Sequence, residues 1–225
     1  MTDLRLVVFD VDGTLVDSQA DILAAMTAAF ARVDRAAPAR DDILGIVGLS
    51  LPEAIGQLVP GIATPERREM VAAYKDAYIE LRAQNGADVS SPLYPHVRGV
   101  LDQLHTIPEV LLGVATGKSR RGLNKLMEAH QMGSMFVTQH CADDHPSKPH
   151  PSMLRAALDD TGLEPRQAVM VGDTSYDMEM ARAAGLLAIG VSWGYHGRDR
   201  LREANVVIDD IRLLPGLLEQ IWGQT

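Results

Sequence analysis

The sequence predicts an α/β protein, a Rossmann-like parallel sheet core with an inserted helical cap domain. Three observations carry this. Short apolar, β-branched runs recur at 6–9, 110–115, 135–138, 168–171, 187–191 and 206–208, and helical stretches separate most of them, the alternation of a parallel sheet covered on both faces. The stretch from 15 to about 94 carries no such run and reads as helices. Asp10, Thr116 and Asp173 each fall just past the end of an apolar run; ligands bind beyond the carboxyl ends of strands in such sheets.

Leu6-Val7-Val8-Phe9 leads into Asp10-Val11-Asp12-Gly13-Thr14. Strand alternation points Asp10 and Asp12 the same way. Two like charges held that close need a cation between them or a proton on one. Both conditions suit phosphoryl transfer, in which one carboxylate attacks phosphorus and the other serves the leaving oxygen. The plainer alternative is an Asp-Gly turn.

The next elements are helical. Residues 21–33 place Ile22, Met26, Phe30 and Val33 on one face. Residues 66–82 do the same with Met70, Tyr74, Ala77, Tyr78 and Leu81. Their aromatic and Met side chains read as core of the cap rather than ligand contacts. The cap spans 17–91, entered at Asp17-Ser18, a helix N-cap signal, and left through Ser91-Pro92-Leu93-Tyr94-Pro95. The core is then 1–16 and 92–225. Within the cap, the paired glycines of Gly45-Ile46-Val47-Gly48-Leu49-Ser50 allow a tight approach to a site. That loop has no arginine, and Arg40 precedes it.

After the second strand, Thr116-Gly117-Lys118-Ser119 opens a helix. A hydroxyl and free N–H groups there suit a phosphate, although Thr116 also reads as a plain N-cap. It is not a Walker A loop, because Leu112 stands where that motif needs glycine. Lys148 is held between Pro146 and Pro149 by stiff backbone, where its charge can screen a nucleophile and a phosphate together. His145 and His150 lack metal-ligand spacing. The fourth strand ends in Gly172-Asp173-Thr174-Ser175-Tyr176-Asp177. Oxygen ligands at a strand end suit Mg²⁺, and Asp177 lies one helical turn beyond Asp173. Simple capping by Asp173 is the alternative.

Composition narrows the classes. A net charge of −9 over 225 residues disfavours nucleic acid and anionic membrane. The pairs Arg67-Arg68 and Arg120-Arg121 read as solvated helix faces. One cysteine, Cys141, excludes an internal disulfide and fits a reducing compartment. No apolar run approaches a membrane span. The first residues pass directly into a strand, so no signal peptide is expected and the expected location is cytoplasmic.

Taken in order, Asp-x-Asp-Gly-Thr, Thr-Gly, Lys-Pro and Gly-Asp-x-x-x-Asp resemble the four motifs of the haloacid dehalogenase superfamily. The run Phe9-Asp10-Val11-Asp12-Gly13-Thr14-Leu15-Val16-Asp17-Ser18 resembles the opening of its phosphoglycolate-phosphatase-like branch, whose helical cap lies between the first two motifs. The resemblance implies a Mg²⁺-dependent phosphatase acting on a small phosphate monoester, phosphoglycolate-like or a sugar phosphate, through an aspartyl-phosphate. It implies Asp10 as nucleophile, Asp12 as acid/base, Thr116 and Gly117 as phosphate binders, and Lys148 as a supporting cation. It implies a metal site of Asp10, Asp12 through its carbonyl, Asp173 and Asp177. Superfamily dehalogenases lack the second aspartate, present here as Asp12. Sugar-phosphate mutases of the branch carry a cap histidine where this chain has Ile22. Phosphonate-cleaving relatives use a cap lysine, and the only one here is Lys75, deep in a charged helix face. A mutase, a pyrophosphatase or a non-catalytic binding member are the alternatives. The partner is a small phosphorylated metabolite, and the chain a monomer or homodimer.

Overall fold

The computed structural model describes residues 4–223. In chain order it contains β1 (Arg5–Phe9), α1 (Gln19–Ala31), α2 (Arg40–Leu44), α3 (Leu51–Leu58), α4 (Thr64–Asn85) and α5 (Ala87–Ser90). Then follow α6 (Val97–His105), β2 (Val110–Thr116), α7 (Arg120–Ala129), β3 (Phe136–Cys141), α8 (Ser152–Thr161) and β4 (Ala168–Gly172). The chain closes with α9 (Ser175–Ala184), β5 (Leu187–Val191), β6 (Val206–Ile208) and α10 (Leu214–Trp222).

The strands form one parallel sheet in the order β3-β2-β1-β4-β5-β6. The chain winds outward on both sides of β1, so the strand order reverses there and opens a crevice beyond its carboxyl end. β1 is apolar on both faces for this reason. Val7 and Phe9 pack into the layer with Val100, Leu104, Leu123 and Leu214, and Leu6 and Val8 pack into the opposite layer with Met153, Leu154, Met178 and Ala181. The amide of Asp10 still donates to the Val171 carbonyl at 2.9 Å. The backbone after β1 therefore leaves the sheet beside the end of β4.

The segment between β1 and β2 has its own apolar cluster, built on Ile22, Met26, Phe30, Ile43, Ile55 and Met70, with α1 lying against α4. Its two connections to the sheet pair with each other. Val16 bridges Leu93 antiparallel, Asp17 N–H donates to Pro92 (2.9 Å) and Tyr94 N–H to Leu15 (3.0 Å).

Local details correct the sequence reading. The third strand runs to Cys141 instead of stopping at 138, and Met135 belongs to a short 3₁₀ turn. As an edge strand, β3 has a half-wet face, which accommodates Gln139 and His140 and leaves Val137 exposed. Thr116 is the last residue of β2, and Ser119 is the N-cap of α7, accepting from Gly122 N–H at 3.2 Å. The N-cap of α9 is Thr174, not Asp173, in a capping box with Asp177. Ser18 does occupy the N-cap position of α1, but its hydroxyl makes no cap bond.

Candidate active site

The strand ends bring four of the predicted residues to one cleft, and Lys148, Asp173 and Asp177 are buried beside Asp10. Asp10, Asp12, Thr116 and Gly117 line it, with Ile46, Val47, Gly48 and Leu49 of the cap loop opposite. Lys148 Nζ lies below, fully buried, donating to Asp10 Oδ1 at 2.7 Å and to Asp177 Oδ1 at 2.6 Å. Asp173 accepts from Thr14 Oγ1 (2.9 Å) and from Tyr195 N–H (2.8 Å). The second oxygen of Asp177 accepts from Thr174 Oγ1 (2.6 Å) and Thr174 N–H (3.1 Å). Asp177 thus caps a helix with one oxygen and holds Lys148 with the other.

Glycine is required at two of these contacts. Gly13 has φ +87°, and a Cβ there would lie 2.2 Å from Asp173 Oδ2. A Cβ on Gly117 would lie 2.5 Å from the Gly48 carbonyl oxygen and 2.7 Å from that of Leu49. The cap loop therefore rests directly on the Thr116-Gly117 loop.

Burial sets the electrostatics. Desolvation drives the Asp10 carboxyl up to about 7 against the opposing pull of Lys148. It drives Asp173 well above the carboxylate range, with Asp10 and Asp177 adding repulsion. Asp12 goes the other way: burial would raise it, but the charge of Lys118 and hydrogen bonds from Lys118 and Ser18 hold it below its ordinary value. Among the described residues, Asp10, Asp12, Asp173 and Asp177 form ion pairs only with Lys118 and Lys148, four carboxylates against two ammonium groups. If all ionise, two negative charges remain uncompensated.

The donor set fits a divalent cation. One oxygen each from Asp10, Asp173 and Asp177 lies within 4.8 Å of the others, all three residues are buried, and Asp10 Oδ2 has no hydrogen-bond partner. Buried oxygen-only donors with an orphaned carboxylate oxygen suit a hard cation. The Asp12 side chain is outside this cluster, taken up by Lys118 and Ser18, which leaves only its main-chain carbonyl for a metal.

Sequence reasoning passed over several residues. Lys118 Nζ clamps both Asp12 oxygens, at 2.6 and 2.7 Å, and lies 3.3 Å from Tyr78 Oη. The signal is its place in the Thr116-Gly117-Lys118-Ser119 string, next to the phosphate-binding candidates. Ser18 donates to Asp12 instead of capping. Tyr195 reaches Asp173 and Ser18 from a remote loop that no local pattern marks. Tyr74 and Tyr78, expected only as core, both line the cleft, and so do Lys75 and Arg121, expected on solvated faces. Arg40 does not enter the cleft; it bonds Gln19 and Asp41.

This parallel sheet, with acidic residues at the end of its first and fourth strands and a helical insert above them, defines a haloacid dehalogenase-type hydrolase fold. Residues 7–191 match the family described as haloacid dehalogenase-like hydrolase, and the chain belongs to it. It is 36% identical over 211 residues to the probable phosphatase IndB of Dickeya dadantii, covering 91% of this chain and 89% of that one. It is 32% identical over 219 residues to a phosphoglycolate phosphatase of Pseudomonas fluorescens, covering 96% and 80%. A haloacid dehalogenase-like family protein of Streptococcus pneumoniae shares the fold, with a TM-score of 0.81 at 24% identity over 97% of this chain and 100% of that chain.

Proposed function

We propose that the protein is a Mg²⁺-dependent phosphatase that hydrolyses a small phosphate monoester through an aspartyl-phosphate on Asp10. The observation that carries this is the state of Asp10. It lies at the end of β1 on the cleft floor, with one oxygen on Lys148 and the other buried without a partner.

Asp10 attacks phosphorus as the P–O bond to the leaving group breaks. Asp12 gives its proton to the departing oxygen, then takes one from water, which attacks phosphorus and breaks the Asp10–P bond. Phosphate leaves and Asp10 is restored. Lys148 favours the charged form of Asp10 and aims it. Thr116 Oγ1 and the Gly117 amide, at and just after the end of β2, line the cleft and would bind the non-bridging oxygens. Lys118 holds Asp12 ionised before substrate enters; an arriving phosphate dianion competes for Lys118, which loosens that pair and lets Asp12 take up its proton. Asp10, Asp173, Asp177 and the Asp12 carbonyl would hold a metal ion, which would supply charge neutralisation for the phosphoryl group. Ile22 lines the cleft where mutases of the branch carry histidine, which supports transfer to water over transfer to a sugar hydroxyl.

The test is phosphate release from a panel of monoesters with Mg²⁺ and with EDTA. Release that needs both Mg²⁺ and an intact Asp10 supports the reading. Undiminished release by Asp10→Asn contradicts it.

A further inference from the structure

The cleft is much larger than the reacting groups need. Its volume is about 870 Å³, within the range that encloses drug-sized ligands, and a phosphoryl group on a two-carbon acid fills only a corner of it. Beyond the reacting groups its walls divide into two zones.

The first zone is apolar. Ile22, Met26, Leu49, Tyr74 and Tyr78 line it. The two tyrosine rings stack nearly parallel, with centroids 5.8 Å apart and an interplanar angle of 16°. Tyr78 Oη lies 3.3 Å from Lys118 Nζ, which ties this platform to the acid/base pair.

The second zone is a groove between α4 and α7. Both helices turn one face into it: Tyr74, Tyr78 and Arg82 at four-residue spacing on α4, and Arg121, Lys125 and Glu128 at helical spacing on α7. Its cations are Lys75, Arg82, Arg121 and Lys125. Glu128 offsets Lys125 at 2.8 Å, and Asp143 at the edge accepts from the Arg120 amide. Among the described residues Lys75 and Arg121 have no carboxylate partner. Here cations from two different helices face one groove in a chain of net charge −9, so the groove is a local reversal of sign.

Resting on the phosphatase reading, we propose that the substrate is an elongated phosphate monoester with a ring-bearing body and a second anionic group at its far end. The ring lies against Tyr74 and Tyr78, and the distal anion is held by Arg121 and Lys125 with Lys75 facing them. Arg121 lies in the first turn of α7 and Lys125 one turn further on, about 7.5 Å along the helix axis from Arg120. A ring spans that distance and a two-carbon acid does not. Arg82 closes the groove, with its guanidinium 4.8 Å over the Tyr78 ring and its Nη atoms on Gly122 O and Ser91 Oγ.

The test compares kcat/KM for three esters: 2-phosphoglycolate, phenyl phosphate, and a phenyl phosphate carrying a para-carboxymethyl group. The carboxylated ring ester is expected to exceed phenyl phosphate about tenfold, the worth of one charge-assisted contact, and to exceed phosphoglycolate as well. The double variant Arg121→Ala/Lys125→Ala is expected to bring the ratio of the two ring esters to about one, through KM rather than kcat. A preference for phosphoglycolate, or an unchanged ratio in the double variant, overturns the proposal. Silence on all three esters with Mg²⁺ contradicts the phosphatase reading instead. Calorimetric affinities of the same three esters then decide the groove proposal by the same ordering.

Discussion

Asp12 carries the sharpest residue-scale consequence of the site. Its carboxylate has no free role in this arrangement, because Lys118 and Ser18 occupy it. In the proposed mechanism its work is the proton needed by the leaving oxygen and later taken from water. Asp12→Asn should therefore lower kcat for an alkyl phosphate about 10²–10⁴-fold, the usual worth of a positioned acid/base. The loss should be much smaller in the phosphorylation step for p-nitrophenyl phosphate, whose leaving group departs without a proton. Single-turnover rates on the two esters check this, and equal losses would contradict the assignment. The motif residues were legible as types at spacings. Lys118 was legible only as a neighbour, since what makes it part of the site is a contact 106 residues away in sequence. Tyr195 was not legible, because its reach to Ser18 crosses 177 residues and follows from the sheet order alone.

At the scale of elements, the contact between the cap loop and the core decides access. The Gly117 backbone meets the carbonyls of Gly48 and Leu49 with no room for a methyl group. Gly117→Ala should push the cap loop off the phosphate site and raise KM about tenfold, while the melting temperature stays close to wild type. Steady-state kinetics with a melting curve checks both parts. A second contact lies behind it. The Gly45 carbonyl accepts from Tyr176 Oη (3.2 Å), and His196 Nε2 lies 3.0 Å from it while His196 Nδ1 accepts from Ser175 N–H at 3.0 Å. This places the His196 proton on Nε2, and burial lowers the ring to about 4 from 6.5. In the unfolded chain His196 takes up a proton near 6.5, whereas in the fold it stays neutral to about 4. Falling pH therefore favours unfolding, and stability should drop as pH decreases from 7 toward 4. His196→Gln should have a flatter melting-temperature profile over pH 7.5 to 5; an identical slope would show that other groups control it. Sequence patterning identified the loop at 45–50 from its paired glycines. It did not identify the partners of Gly45, which lie on α9 and after β5. The ends of elements were also least legible: β3 runs past its apolar core because an edge strand tolerates Gln139 and His140, and Ser18 leaves its cap role for a longer-range acceptor.

Across the whole molecule, two apolar layers around β1 support a cluster of buried charge. Phe9 is fully buried and immediately precedes Asp10. Phe9→Ala should cost about 3–5 kcal/mol by leaving a cavity under the site, measurable by denaturant unfolding. The α/β class was readable because strands buried on both faces are apolar throughout, and because polar groups at strand ends mark the open side of the sheet. The shape of the cleft was not readable. It depends on how α4 and α7 face each other across the paired connections at Val16 and Leu93, and periodicity says which face of a helix is apolar but not what stands opposite.

The central claim is that Asp10 becomes covalently phosphorylated. It is tested most directly by acid-quenching the enzyme during turnover of a monoester and mapping the phosphoryl group by peptide mass spectrometry. The account predicts one phosphoryl group on the peptide containing Asp10, present with Mg²⁺ and absent with EDTA or in Asp10→Asn. Phosphate release from wild type with no such adduct, even when a slowed second step in Asp12→Asn allows it to accumulate, would contradict the account.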